Sequence, residues 1–150
     1  RIYMRIWVLN QEVLSMRRAS LAVSLAVLLL GLAAWAADVP MVASSLVPAA
    51  TGKLSYEHDR NGNIKFHVST KNLAAPSQLT PAKNAYVVWI EPRDQQPQNA
   101  GVLTVNNNLE GSFAGTTPQK NFNVVVTAED NPTVTQPSGP EILHGTVQVR

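Results

Sequence analysis

The stretch Tyr86-Val87-Val88-Trp89-Ile90 decides the fold. Successive side chains of a strand point to opposite faces, so five apolar residues in a row must be covered on both sides. The run is short and rich in β-branched and aromatic residues, so it reads as a central strand rather than a helix. Within so apolar a strand, Trp89 reads as core filler and not as a platform on which a ligand stacks. Asn121 to Ala128 has the same character, with Phe122, Val124 and Val126 on one face and Val125 on the other. Around these two runs, short alternating apolar segments are separated by Asn, Gly and Pro clusters, and no window keeps the helical i, i+3, i+4, i+7 spacing. Strands are expected at Lys53 to His58, Ile64 to Thr70, Ala85 to Glu91, Gly101 to Asn106, Leu109 to Ala114, Asn121 to Ala128 and Ile142 to Val149. Seven short strands predict an all-β domain over residues 51–150, an immunoglobulin-like antiparallel β-sandwich.

The first hairpin can be registered from its side chains. A two-residue Asn61-Gly62 turn would split Leu54 and Tyr56 from Ile64, Phe66 and Val68 across two faces. A three-residue loop, Arg60-Asn61-Gly62, with Gly62 in the left-handed position of a bulge, pairs Tyr56 with Phe66 and Leu54 with Val68. It also sets Glu57 opposite Lys65 on the outer face, which favours the three-residue loop.

Ahead of the domain, Met16 to Asp38 has the order of an export signal. Arg17 and Arg18 precede the apolar run Ala19 to Leu32, and Ala34-Trp35-Ala36 offers small residues to a signal peptidase. A retained membrane anchor is the competing reading, but Val39-Pro40 follows the run where a basic stop-transfer flank would stand. The expected organisation is therefore an upstream mis-start at residues 1–15, a signal peptide at 16–37, a flexible lead-in at 38–50 and the sandwich after it. This places the working protein in the periplasm or outside a bacterial cell. Contact with a membrane is expected only through the signal segment, were it kept.

The leader also carries the positive charge. The whole chain has a formal net charge of +2, but from Asp38 onward eight Lys and Arg face nine Asp and Glu, a net charge of −1. No clustered basic face remains for nucleic acid. The chain has no Cys, which removes disulfides, thiolate metal ligands and thiol nucleophiles, so stability rests on packing.

Candidate chemistry is sparse. His58, His67 and His144 are the only histidines, and an exported protein can hold copper or zinc on neutral imidazoles. In the preferred register His58 and His67 point to opposite faces, so a metal or small-ligand site on these three is an alternative and not the main reading. Ser112 and Ser138 lack a G-x-S-x-G setting. Asp94, Glu110, Glu129, Asp130 and Glu141 sit at turns or strand ends, where solvated charge is the simple explanation. Glu129-Asp130-Asn131 matches no calcium loop. No catalytic, cofactor-binding or metal-binding residue is therefore assigned, and no cofactor is expected.

The second half of the chain resembles a known family. Ala85 to Ile90, Asn99-Ala100-Gly101-Val102-Leu103, Val124 to Glu129, and Gln136-Pro137-Ser138-Gly139-Pro140-Glu141-Ile142 with His144-Gly145 are similar to the carboxy-terminal extracytoplasmic domain of anti-sigma-K factors. The most specific pieces are Thr127 to Glu129 and Gln136 to Pro140, and none is a catalytic motif. Members of that family carry a sigma-binding helical domain and a membrane span ahead of this domain, where this chain has a leader. The resemblance implies a sandwich module in the envelope that senses or contacts an envelope protein or ligand, not an enzyme. The Asp130 to Pro140 and Pro92 to Asn99 loops are the first candidates for its working surface.

Overall fold

The computed structural model describes residues 37–149, so the upstream stretch at 1–15 and all of the expected signal segment except Ala37 lie outside the described residues. Eight strands follow in order: β1 Ala37–Ala43, β2 Thr51–His58, β3 Ile64–Lys71, β4 Ala85–Pro92, β5 Gln98–Val105, β6 Gly111–Thr117, β7 Asn121–Glu129 and β8 Glu141–Gln148. The only helical element among the described residues is a 3-10 turn at Pro76–Gln78.

The expected sandwich is corrected to a closed antiparallel barrel with strand order β1-β2-β3-β6-β5-β4-β7-β8, in which β8 returns to β1. Strands β4 to β7 form a Greek key, since their spatial order is β7-β4-β5-β6. All seven expected strands are present, and the eighth, β1, closes the barrel. Two strands change partner along their length. In β1, Ala37 to Met41 pair with β2, then Val42 and Ala43 pair with His144 and Leu143 of β8. In β5, Gln98 to Leu103 pair with β4, then Thr104 and Val105 pair with Ser112 and Gly111 of β6. These two corners join what would otherwise be two stacked sheets. The register of β4 against β5 shifts between Val88 and Trp89, opposite Gly101, whose φ of +134° is open to glycine and strained for other residues.

β1 escapes a reading by composition because Pro40 and the Ala and Ser residues around it look like a linker. Proline is tolerated there because Pro40 pairs on one side only, with Lys53 of β2. Its alternation is nonetheless that of a strand: Met41 is buried and Val39 half-buried, while Asp38, Pro40 and Val42 face out. The following turn is also built in, with Val47 and Ala50 buried and Ser44 N–H donating to the Ile142 carbonyl at 2.9 Å.

The first hairpin has the preferred register, with Tyr56 opposite Phe66, Leu54 opposite Val68 and Glu57 opposite Lys65. Asp59 and Asn63 close the loop through a 2.9 Å backbone hydrogen bond, and Gly62 has φ +80°. The Asp59 side chain accepts from the backbone N–H groups of Asn61 and Asn63, fixing the loop from within.

Inward-facing residues from all eight strands fill the barrel. Leu54, Ile64, Val68, Val88, Val124, Val126 and Leu143 are among those with no exposed surface. Where the corner pairing runs out, aromatic residues bridge the two halves. Phe66 of β3 packs at 5.8 Å edge-on against Phe122 of β7 and at 5.9 Å against Phe113 of β6. The Tyr56 hydroxyl of β2 donates to the Gln148 carbonyl of β8 at 3.3 Å. At the other end the Tyr86 hydroxyl donates to the Ala74 carbonyl at 2.8 Å, which ties down the β3–β4 crossover, and burial pushes its phenol up to about 12. On β2, β3 and β6 the outward positions Ser55, Glu57, Lys65, His67 and Ser112 are polar or charged.

Candidate functional site

The outer face of β4, β7 and β8 carries two adjoining features, an apolar patch under a strap and a polar groove beside it. The patch consists of Val87 and Trp89 of β4 and Val125 of β7, covered by Val134 from the 130–140 segment. Trp89 is thus core filler as expected, though in a small second core outside the barrel. It has no exposed surface, and its indole N–H donates to the Thr127 hydroxyl at 2.8 Å.

From Thr127 the hydrogen bonds continue to Glu129 and into the strap. The Glu129 carboxylate accepts from the Thr127 hydroxyl at 2.6 Å, the Ser138 backbone N–H at 3.0 Å, the Ser138 hydroxyl at 2.5 Å and the Gly139 N–H at 2.9 Å. Burial on its own raises the pKa of this carboxyl, and the hydrogen bonds from Ser138, Thr127 and Gly139 outweigh it, holding Glu129 below the ordinary glutamate range. A Cβ on Gly139 would lie 1.8 Å from the Ala128 carbonyl oxygen, so only glycine lets the strap pass this close to β7. On its other side the strap is held by the Asn99 amide, which donates to the carbonyls of Pro132 and Val134 at 3.0 and 2.8 Å. Lys83 pairs with Asp130 at 2.8 Å. Glu129 is therefore a correction to the expectation of a solvated strand-end charge. The Asp130 to Pro140 loop, expected as a recognition surface, is largely spent on fastening and covering β4 and β7.

The Pro92 to Asn99 loop has a different place, forming one wall of the polar groove. Outward rows of the sheet run Glu91, Asn123, Thr146 and then Asn121, Gln148, because Glu91 lies opposite Asn123 and Asn123 opposite Thr146. With Arg93, Gln95 and Pro97 from the loop they enclose a groove of about 470 Å³ over the backbone of Phe122 and Val147, whose side chains turn into the barrel core. A second hollow of about 520 Å³ continues from it past Gln119 and Lys120, sharing Arg93, Gln95, Asn121 and Gln148. The Thr146 hydroxyl donates to Asn123 Oδ1 at 2.9 Å, which leaves the Asn123 amide N–H groups and the Thr146 oxygen available to a ligand. Glu91 is half-buried, and burial first, then the nearby charge of Glu141, push its carboxyl above the ordinary range. The sequence signal for this groove is the density of Asn and Gln at strand ends, which by itself looks like turn composition.

The three histidines stand apart. His58 ends β2, His67 shares a 3.0 Å hydrogen bond with Ser112 across β3 and β6, and His144 lies 2.6 Å from Glu141 on β8. Among the described residues no group of three or more His, Asp or Glu side chains is placed to hold a metal ion. His67 and Ser112 are a base and a hydroxyl within reach, but both are exposed on the flank of the barrel, and a nucleophile of this kind needs a third group to orient the base. No family model matches the chain, and a search of curated proteins returns no match.

Proposed function

We propose that this chain is an exported, non-catalytic β-barrel module that contacts another molecule outside the cytoplasm, in the envelope-sensing or sigma-regulation setting that its resemblance to the anti-sigma-K carboxy-terminal domain implies. The observation that carries the reading is the position of β1. It begins at Ala37, directly after Ala34-Trp35-Ala36, so cleavage there leaves every strand of the barrel intact. The resemblance is supported by what its two most specific pieces do: Thr127 to Glu129 and Gln136 to Pro140 hold one another through the Glu129 carboxylate. That is a structural reason for both pieces to occur together. The non-catalytic reading is supported by the same carboxylate, whose oxygens accept from four donors and are engaged in holding the strap.

Expression of the full chain in an exporting bacterium, followed by fractionation and mass spectrometry of the amino terminus, tests the reading. The expected product starts at Ala37 in the extracytoplasmic fraction. A cytoplasmic product retaining Met16 to Leu32 would overturn it.

A further inference from the structure

We propose that the groove between the β4–β5 loop and the outer face of β7 and β8 binds a neutral oligosaccharide, a ligand class that deepens and rests on the reading of this chain as an extracytoplasmic binding module. The chemistry of the lining selects the class. Gln95, Asn121, Asn123, Thr146 and Gln148 are exposed and uncharged. An amide offers donors and an acceptor a short distance apart, the same pairing that a sugar hydroxyl presents as both donor and acceptor. A peptide or nucleic acid would instead call for a free strand edge or a basic stripe.

The two formal charges at the groove, Glu91 and Arg93, are of opposite sign, so the lining has no net attraction for an ion. Asn123 is oriented by Thr146, which spares part of the entropy cost of fixing an amide on a ligand. Glu91 supplies a carboxylate acceptor beside those amides, the stronger type of acceptor for a hydroxyl donor. The neighbouring hollow shares one wall with the groove and extends past Gln119 and Lys120. Together they make an elongated trough, which suits several linked sugar units better than a single one. Half-buried Pro97 is the apolar side chain of the lining that the C–H face of a pyranose ring can reach, since Pro92, Phe122 and Val147 are buried.

Titration of the purified full-length protein with chitotetraose, cellotetraose and maltotetraose, followed by NMR shifts of the backbone amides, tests the proposal. Inorganic phosphate and an acidic peptide serve as comparison probes. At least one oligosaccharide is expected to shift Asn121, Asn123, Thr146 and Gln148 selectively. The paired substitution Asn123→Ala with Gln148→Ala, at exposed positions that leave the core alone, is expected to weaken that binding about tenfold or more. Lys65→Ala on the opposite sheet is expected to leave it unchanged, and raising the salt concentration likewise, because the ligand carries no charge. Absence of binding by all three sugars at millimolar concentration would overturn the proposal, as would binding that survives the paired substitution. Salt-sensitive binding of phosphate or the peptide in their place would overturn it too. In each of these cases an amino terminus at Ala37 outside the cytoplasm still upholds the module reading, so the two can fail separately.

Discussion

At Glu129, burial and hydrogen bonding act on the carboxyl in opposite directions, and the bonds win. Replacing it with alanine leaves the Ser138 and Gly139 N–H groups and two hydroxyls without their acceptor at the edge of the core. We expect Glu129→Ala to cost roughly 3 to 5 kcal/mol in chemical denaturation. The pH dependence follows from the lowered pKa of the folded state. A carboxyl that holds its proton less tightly when folded stabilises the protein above its ordinary value of 4.5, and that contribution fades as pH falls through the lower, folded-state value. The stability gap between the native protein and Glu129→Gln is therefore expected to be flat at neutral pH and to shrink in acid below the ordinary glutamate range, as measured by urea unfolding across that interval. A gap that widens in acid would contradict the assignment. None of this was legible from Glu129 alone, because its main partners lie nine and ten residues away across a loop with no periodicity. By contrast the Tyr56 to Phe66 pairing was legible, since Gly62, the apolar faces and the Glu57 and Lys65 charges are all local and agree.

At the scale of elements, β4 shows how a sequence pattern can be right about burial and silent about what does the burying. Its unbroken apolar run requires cover on both faces, and the barrel interior supplies one side. The other is covered by the strap, through Val134 over Val87, Trp89 and Val125. Three prolines and a glycine in that segment signal a stiff connection, not where it lies. Val134→Asp would put a charge over the apolar patch and uncover part of Trp89. We expect a loss of about 1 to 2 kcal/mol and faster hydrogen exchange confined to the strap and the middle of β4, with the first hairpin unaffected. Uniform change across the barrel would show that the strap is not an independent cover. The groove loop is the counterpart: Pro92 to Asn99 was picked out as a surface from composition, but the wall opposite it comes from β7 and β8, which only the strand order brings alongside.

For the whole molecule, the difference between the expected sandwich and the observed barrel comes down to two short corners and one strand. The seven strands read from alternation are those a sandwich would use, and periodicity carries no information on whether two sheets stay separate. Closure is set by non-local pairing, β1 with both β2 and β8 and β5 with both β4 and β6. Closing the sheet also removes free edges at those corners, which protects a chain that has no disulfide from edge-to-edge association. β1 is therefore part of the fold rather than a flexible lead-in, contributing buried Met41 and pairing with seven residues on its two neighbours. The most direct measurement compares thermal and urea unfolding of the chain started at Ala37 with the same chain started at Ser44. The account predicts a single cooperative transition for the longer form and its loss in the shorter one, because burying Met41 alone is worth about 2 to 5 kcal/mol against a total stability of about 5 to 15. Equal midpoints and equal cooperativity for the two forms would contradict it.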